Sequence, residues 1–278
     1  RLHIPASQVQ ATLALLEAGC TIPFISRYRK EATGNLNEVQ ITAIDDLDTQ
    51  LDEVQKRKET ILKTIDAQGK LTDELQRRIT TSWDATEIED LYMPYKPRRR
   101  TRAQVAREQG LEPLATLLLL QREQSPSTAA RRFINADVPD VAAALRGAQD
   151  IIAENISEDE RSRQTVRRAF SREAVISARV IEKMRHEDSA QKFADYFSFS
   201  EELRRCSSHR LLAMRRGEEE GILRVGITID DEPCIERLQR QHVRGTGPCQ
   251  KWVNEAVADA YSRLLRPSIE NEFAAQSK

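Results

Sequence analysis

Residues 38–68 contain no glycine and no proline, and this run constrains the fold more than any other feature. Asn37 stands before it with Gln40 three residues on, as in a capping box, and Gly69 stands ready to end it. Ile44, Leu47, Leu51, Val54, Ile61 and Ile65 recur at alternating three- and four-residue spacing, interrupted once by Lys58. The run predicts one helix of about 45 Å, at 1.5 Å per residue. Such a strut is too long to be hidden in a small globule, so its apolar seam needs a cover. Helices of the same chain or a second copy would serve; Lys58 in the seam favours intrachain packing.

Shorter helical segments flank the strut. Val9, Leu13 and Leu16 mark an opening helix. In TIPFISRYRKEATG (residues 21–34), Pro23 suits a first turn, Phe24 and Ile25 anchor, and Gly34 is a stop, with Arg27 and Glu31 spaced to pair. Thr72 and the pair Asp84 and Glu87 read as N-caps, and a further helix runs from Thr101 until Gly110 stops it. Ser125-Pro126, Pro139, and Ser157 with Glu160 announce later helices. GILRVGITID (residues 221–230) alternates as a strand, the one convincing strand in the chain, whose partner is either a short local segment or absent from this sequence. Helical patterning follows Pro248 and restarts at Pro267. The expected class is mostly α, an elongated multi-helix region with a long central helix and one short β segment.

Charged residues make up 31% of the 278 and aromatics 5%, with ten glycines, the balance of a helix-rich protein with much exposed surface. The formal net charge of −1 excludes a globally basic nucleic-acid binder. No apolar run approaches the ~20 residues of a membrane span. With Arg1 in first place and no hydrophobic signal region, the chain reads as cytoplasmic with an incomplete N-terminus. Cys20, Cys206, Cys234 and Cys249 form no C-x-x-C pair, and the four histidines are scattered, so neither a metal nor another cofactor is expected. No phosphate loop, dinucleotide fingerprint, H-E-x-x-H or G-x-S-x-G is present. No catalytic residue is therefore assigned and no catalytic activity is expected.

Two basic clusters are the candidate sites. The first holds Lys96, Arg98, Arg99, Arg100, Arg102 and Arg107 on a loop broken by Pro94 and Pro97, with Tyr92 and Tyr95 just upstream. Such arginines can reach phosphates while tyrosines stack on bases; the alternative is a solvated loop that happens to be basic. The second places Arg161, Arg168, Arg172 and Arg179 on one stripe of a helix following Ser157, with Val166, Phe170, Ala174, Ile181 and Met184 opposite. Glu158, Asp159, Glu160, Glu173 and Glu182 are available to neutralise that stripe.

TIPFISRYRKEATGNLNEVQ and DLYMPYKPRRRTRAQVAREQGLEPLA (residues 90–115) resemble the signature segments of the Tex family, bacterial transcription accessory proteins. VAAALRGAQDIIAE, FADYFSFSEELRRCSSHRLLAMRRGEEEGIL and DAYSRLLRPSIENE follow in the family's order. The resemblance implies a helical N-terminal domain over residues 1–190 and a helical continuation over 191–278, with a strand near 222–229. It further implies an RNase H-like (YqgF) domain, helix-hairpin-helix modules and an OB-fold RNA-binding domain beyond this segment, and a core shared with a eukaryotic elongation factor that associates with RNA polymerase. On that pattern RNA or DNA binds weakly to this segment, chiefly elsewhere in the protein, and FISRYRKEATG is an architectural junction whose charges pair with neighbouring helices. A docking module for RNA polymerase or other transcription factors is the other function the resemblance allows.

Overall fold

The computed structural model describes residues 2–97 and 100–276. It divides into two compact units, residues 1–96 and residues 97–278. Residue 190 falls inside the second unit, between two strands of one sheet.

The first unit is built on α4 (Glu38–Ala67, 30 residues). Its capping box closes reciprocally: Gln40 N donates to Asn37 Oδ1 at 2.9 Å and Asn37 N to Gln40 Oε1 at 3.0 Å. Gly69, at φ +65°, turns the chain away. The helices α1 (Ala6–Glu17), α2 (Ile22–Tyr28) and α3 (Lys30–Thr33) cover its N-terminal half, where Ile25, Leu36, Ile41 and Ile44 form one buried cluster. At the other end α5 (Asp73–Thr81) and α6 (Ala85–Tyr92) close over Ile61 and Ile65, with Ile79, Ile88, Leu91 and Tyr92.

The seam is not continuous. Leu47, Leu51 and Val54 are only half-buried, because each helix group packs on its own end of α4. Lys58, expected as an interruption, is instead inside, 2% exposed. Its ammonium donates to the Thr80 carbonyl at 3.0 Å and sits 3.7 Å from the centre of the Trp83 ring. The signature segment is also two helices rather than one, broken at Arg29 (φ −126°, ψ 28°), so Arg27 and Glu31 fall on separate elements. Gly34 ends α3 at φ +67°, and a Cβ there would meet the Gln8 amide at 2.2 Å. The positive φ favours glycine there, and a larger residue would also displace the Gln8 side chain.

The second unit centres on α10 (Val141–Glu158), whose Leu145, Ala148, Ile151, Ile152 and Ile156 are buried. Packed with it are α7 (Arg102–Glu108) and α8 (Glu112–Leu120), and α9 (Pro126–Ala130) lies alongside. A Cβ at Gly147 would meet Leu111 Cδ1 at 2.4 Å, so glycine permits the close approach. Then come α11 (Glu160–Glu173), α12 (Ser208–Glu219), α13 (Asp231–His242), α14 (Gln250–Asp259) and α15 (Arg266–Gln276). The last two run as one helix through a π segment, Ala260–Leu265. Pro267 therefore does not restart a helix. It sits in the first turn of α15, where the wider π turns before it accommodate a residue without an N–H.

In place of one β segment there is an antiparallel sheet in the order β2-β1-β3: β1 (Val175–Val180), β2 (Ser198–Glu202) and β3 (Leu223–Thr228). The partner of the expected strand is therefore present. It is β1, residues that helical spacing had assigned to the preceding helix.

Candidate nucleic-acid interface

Arg98 and Arg99 lie outside the described residues. Lys96 is exposed at the end of the first unit. Tyr92 is only 6% exposed and lies under the Arg57 guanidinium, so it is a core residue rather than a stacking platform. Tyr95 is half-buried against the same cluster.

The acid-free appearance of the basic loop does not survive folding. Arg100 bonds Glu108 at 2.6 Å, and that contact holds the Glu108 carboxyl below its ordinary range. Arg107 bridges Glu154 at 2.5 Å and Asn155 at 3.0 Å, with Glu112 at 3.7 Å, fastening α7 to α10. Arg107 thus joins the two helices through its own contacts. Arg102 stays exposed on the first turn of α7; burial raises the pKa of Asp150, and Arg263 and, more weakly, Arg102 oppose that rise.

The second cluster begins later than expected. Ser157 lies inside α10, its hydroxyl bonded to the Glu154 carbonyl, and Asp159 caps α11 by accepting from Ser162 N at 2.8 Å. Along α11, Arg161, Arg168 and Arg172 form an outward stripe, while Val166, Ala169 and Phe170 are buried. None of these three arginines has an ion-pair partner among the described residues. Two of the acids available to them are engaged elsewhere: Glu173 holds Arg237 through two bonds of 2.8 and 3.2 Å, and Glu182 holds Arg185. Arg163 and Arg167 point inward to Glu272 of α15.

Arg179 does not belong to that stripe. α11 ends at Glu173, and Ala174 leads into the alternating, β-branched segment of β1. Register then creates a different arrangement. Arg179 stands directly opposite Arg224 of β3, both exposed. Ser198 flanks Arg179 on the other side, and the next row on the same face is Ser200, Ser177 and Gly226. Neither arginine has an acidic partner among the described residues. Glu202, further along this face, is bonded to Arg204 and Arg205. A hollow of about 560 Å³ opens over Ser177, Arg179, Arg224 and Gly226, with Glu182 at its border. Sequence reading missed Arg224, although alternation in residues 221–230 already set it on the face opposite Leu223 and Ile227.

The signature segment of the first unit offers a further surface that sequence reading treated as architectural. Among the described residues its charges make no ion pair with neighbouring helices: Arg27, Arg29, Lys30 and Glu31 are all exposed. The Phe24 and Tyr28 rings lie 5.3 Å apart, Tyr28 is 72% exposed, and the Arg29 guanidinium lies 5.9 Å from the Phe24 ring centre. Only Ile25, Ser26 and Thr33 of α2 and α3 enter the core.

One partly buried polar cluster mimics catalytic residues in composition. Ser162 Oγ lies 2.8 Å from Asp159 Oδ2 and 2.7 Å from His242 Nε2. The carboxylate can only accept, so the serine donates to it, and His242 donates from Nε2 to the serine. The serine sits between acid and histidine, where an activated nucleophile would need the histidine in the middle. Burial pushes the His242 pKa down and raises those of Cys206, Cys234 and Cys249. Among the described residues no three His, Cys, Asp or Glu side chains converge to hold a metal, and no helix is long and apolar enough to cross a membrane.

Comparison with known proteins matches residues 1–66 to the Tex-like protein N-terminal domain and residues 121–278 to the Tex central region-like family. The chain is 39% identical to the transcriptional accessory protein Tex of Neisseria gonorrhoeae, over 95% of the chain and 36% of that protein. It is 44% identical to protein YhgF of Escherichia coli, over 96% of the chain and 36% of the relative. Identity to the human S1 RNA-binding domain-containing protein 1 is 29%, over 92% of the chain and 27% of that protein. The chain thus spans about a third of the length of these relatives. With more than half of it matched by the central-region family, and with collinear relatives along nearly all of it, the chain belongs to the Tex family.

Proposed function

We propose that this chain is a non-catalytic helical scaffold of a transcription accessory protein and adds sequence-independent contacts to RNA or DNA phosphates. The observation that carries the reading is Arg179 facing Arg224 on an open sheet face. Like charges directly opposite each other across two strands are destabilising, and an anion between them removes that cost. Serine hydroxyls and the bare Gly226 backbone leave room for a phosphate to approach. The outward arginines of α11 extend the same chemistry, and Tyr28 with Phe24 offers rings on which a base can stack. Relatives that include a transcriptional accessory protein and an S1 RNA-binding domain-containing protein favour RNA as the first ligand to try.

The test is a titration of single-stranded RNA, single-stranded DNA and duplex at several salt concentrations. Replacing Arg179 and Arg224 together with serine should weaken binding alike for all sequences, because backbone contacts position without specifying. The slope of log affinity against log salt on a single strand should become shallower by about 0.7 per lost contact, so by about 1.4. An unchanged affinity and slope would remove the sheet face from the interface.

A further inference from the structure

The middle of α4 is only partly covered, and what is exposed there is organised. Leu47, Leu51 and Val54, with Ile88 and the half-exposed indole of Trp83, line a groove of about 540 Å³ wholly within the first unit. Its rim is acidic. Glu53 and Asp84 border it, and the one guanidinium present, Arg57, is held by Glu89 through bonds of 2.5 and 3.1 Å. Residues 38–55 contain no lysine or arginine, against the carboxylates Glu38, Asp45, Asp46, Asp48, Asp52 and Glu53. Asp46, seven residues before Glu53, shares its helical stripe, so one flank of the groove stays anionic for about two turns.

An apolar floor with an anionic rim repels phosphate backbones and anionic lipid, and complements a segment that is apolar on one side and cationic on the other. From Leu47 to Arg57 the groove follows α4 for about 15 Å, the length of about three helical turns. We propose that this groove docks a basic amphipathic helix of a protein partner. Leucine-like side chains at i, i+3 or i+4 and i+7 enter between α4 and Trp83, and lysines or arginines meet Asp46, Glu53 and Asp84. The groove belongs to the first unit and the arginine surfaces to the second, and the two are of opposite charge.

The experiment uses the whole chain and a labelled peptide of about 16 residues, leucine and lysine in helical amphipathic order. Controls are the same composition scrambled and a leucine–glutamate counterpart, all at about 150 mM salt. With Trp252→Phe removing the other tryptophan, Trp83 emission reports contact at the groove itself. The ordered basic peptide should bind saturably and shift that emission. The two controls should bind at least about tenfold more weakly, and Leu51→Lys should weaken the ordered peptide by about tenfold. Should Leu51→Lys lose its helical circular dichroism, Gln50→Arg on the rim leaves the apolar floor intact and carries the same expectation. Asp46→Asn with Glu53→Gln should cost severalfold and reduce the salt dependence. Absence of saturable binding, or equal binding of the scrambled peptide, overturns the proposal. So does a concentration-dependent dimer that Leu51→Lys abolishes, since the occupant would then be a second copy of the chain.

Discussion

Replacement of Lys58 tests whether the buried ammonium fastens α4 to the α5–α6 corner. The side chain is 2% exposed, donates to a carbonyl in the last turn of α5, and lies against the Trp83 ring. Lys58→Ala removes about three buried methylenes, worth about 2–3 kcal/mol. It also leaves the Thr80 carbonyl without its donor, at about 1–3 kcal/mol, and loses a cation–π contact of about 0.5–2 kcal/mol. Relief of a buried charge offsets part of this, so the net expected cost is about 3–5 kcal/mol. Lys58→Met keeps most of the stem and should cost about 1–2 kcal/mol. Urea unfolding followed by Trp83 emission, in a Trp252→Phe background, reads the first unit alone. Burial lowers the Lys58 pKa. Between that depressed value and the ordinary 10.5, the unfolded chain holds a proton that the folded one has shed, so stability rises with pH across that window. The Met variant should lack this rise. A cost below about 0.5 kcal/mol for Ala, the range of ordinary surface positions, would refute the anchoring role.

Other positions give sharper contrasts. Leu51→Ala should cost only about 0.5–1.5 kcal/mol by urea unfolding, because the side chain is half-exposed at the groove; about 2–5 kcal/mol, the cost at a buried leucine, would mean the groove is closed in solution. Arg107→Ala removes the bonds that tie α7 to Glu154 and Asn155 of α10 and should destabilise the second unit by about 1.5–3 kcal/mol in calorimetry, the range for a hydrogen bond to a charged group. His242 is held neutral by burial; as pH falls below the ordinary 6.5 the unfolded chain takes up a proton the folded one resists, so stability drops. His242→Gln, which keeps a donor for Ser162, should flatten that acid-side slope in melts at pH 5 to 7 (roughly the titration window of histidine).

What was legible in the sequence was local. Asn37 with Gln40, Thr72, Thr101 and Gly69 set helix ends with groups a few residues away, and each stands where the spacing put it. Arg179 shows the limit. It follows Arg172 by seven residues, a spacing that continues a helical stripe, yet β-branched Val175, Ile176 and Val180 turn the segment into a strand whose partners lie about 20 and 45 residues onward. The Arg179–Arg224 pairing is a product of register and has no local signal. Lys58 reads as a break in the seam for the same reason, and Arg163 carries no signal of its own. Their partners, Thr80 and Glu272, are distant in sequence, and only burial reveals that the charge is spent inside. Tyr92 misled in the opposite direction, since a tyrosine beside arginines resembles a stacking platform until its burial is known.

α4 joins two small cores that share no buried side chain across its middle. Its central turns are therefore held chiefly by their own backbone hydrogen bonds, and an isolated helix of that kind is marginal in water. The rod should behave as two cooperative blocks linked by a soft segment around Leu47 to Val54. Amide protons there should exchange faster than those at Ile41 or Ile61, at free energies well below global unfolding. A ligand seated against those turns would tie the blocks together, raising their protection and making the two ends of the helix melt as one.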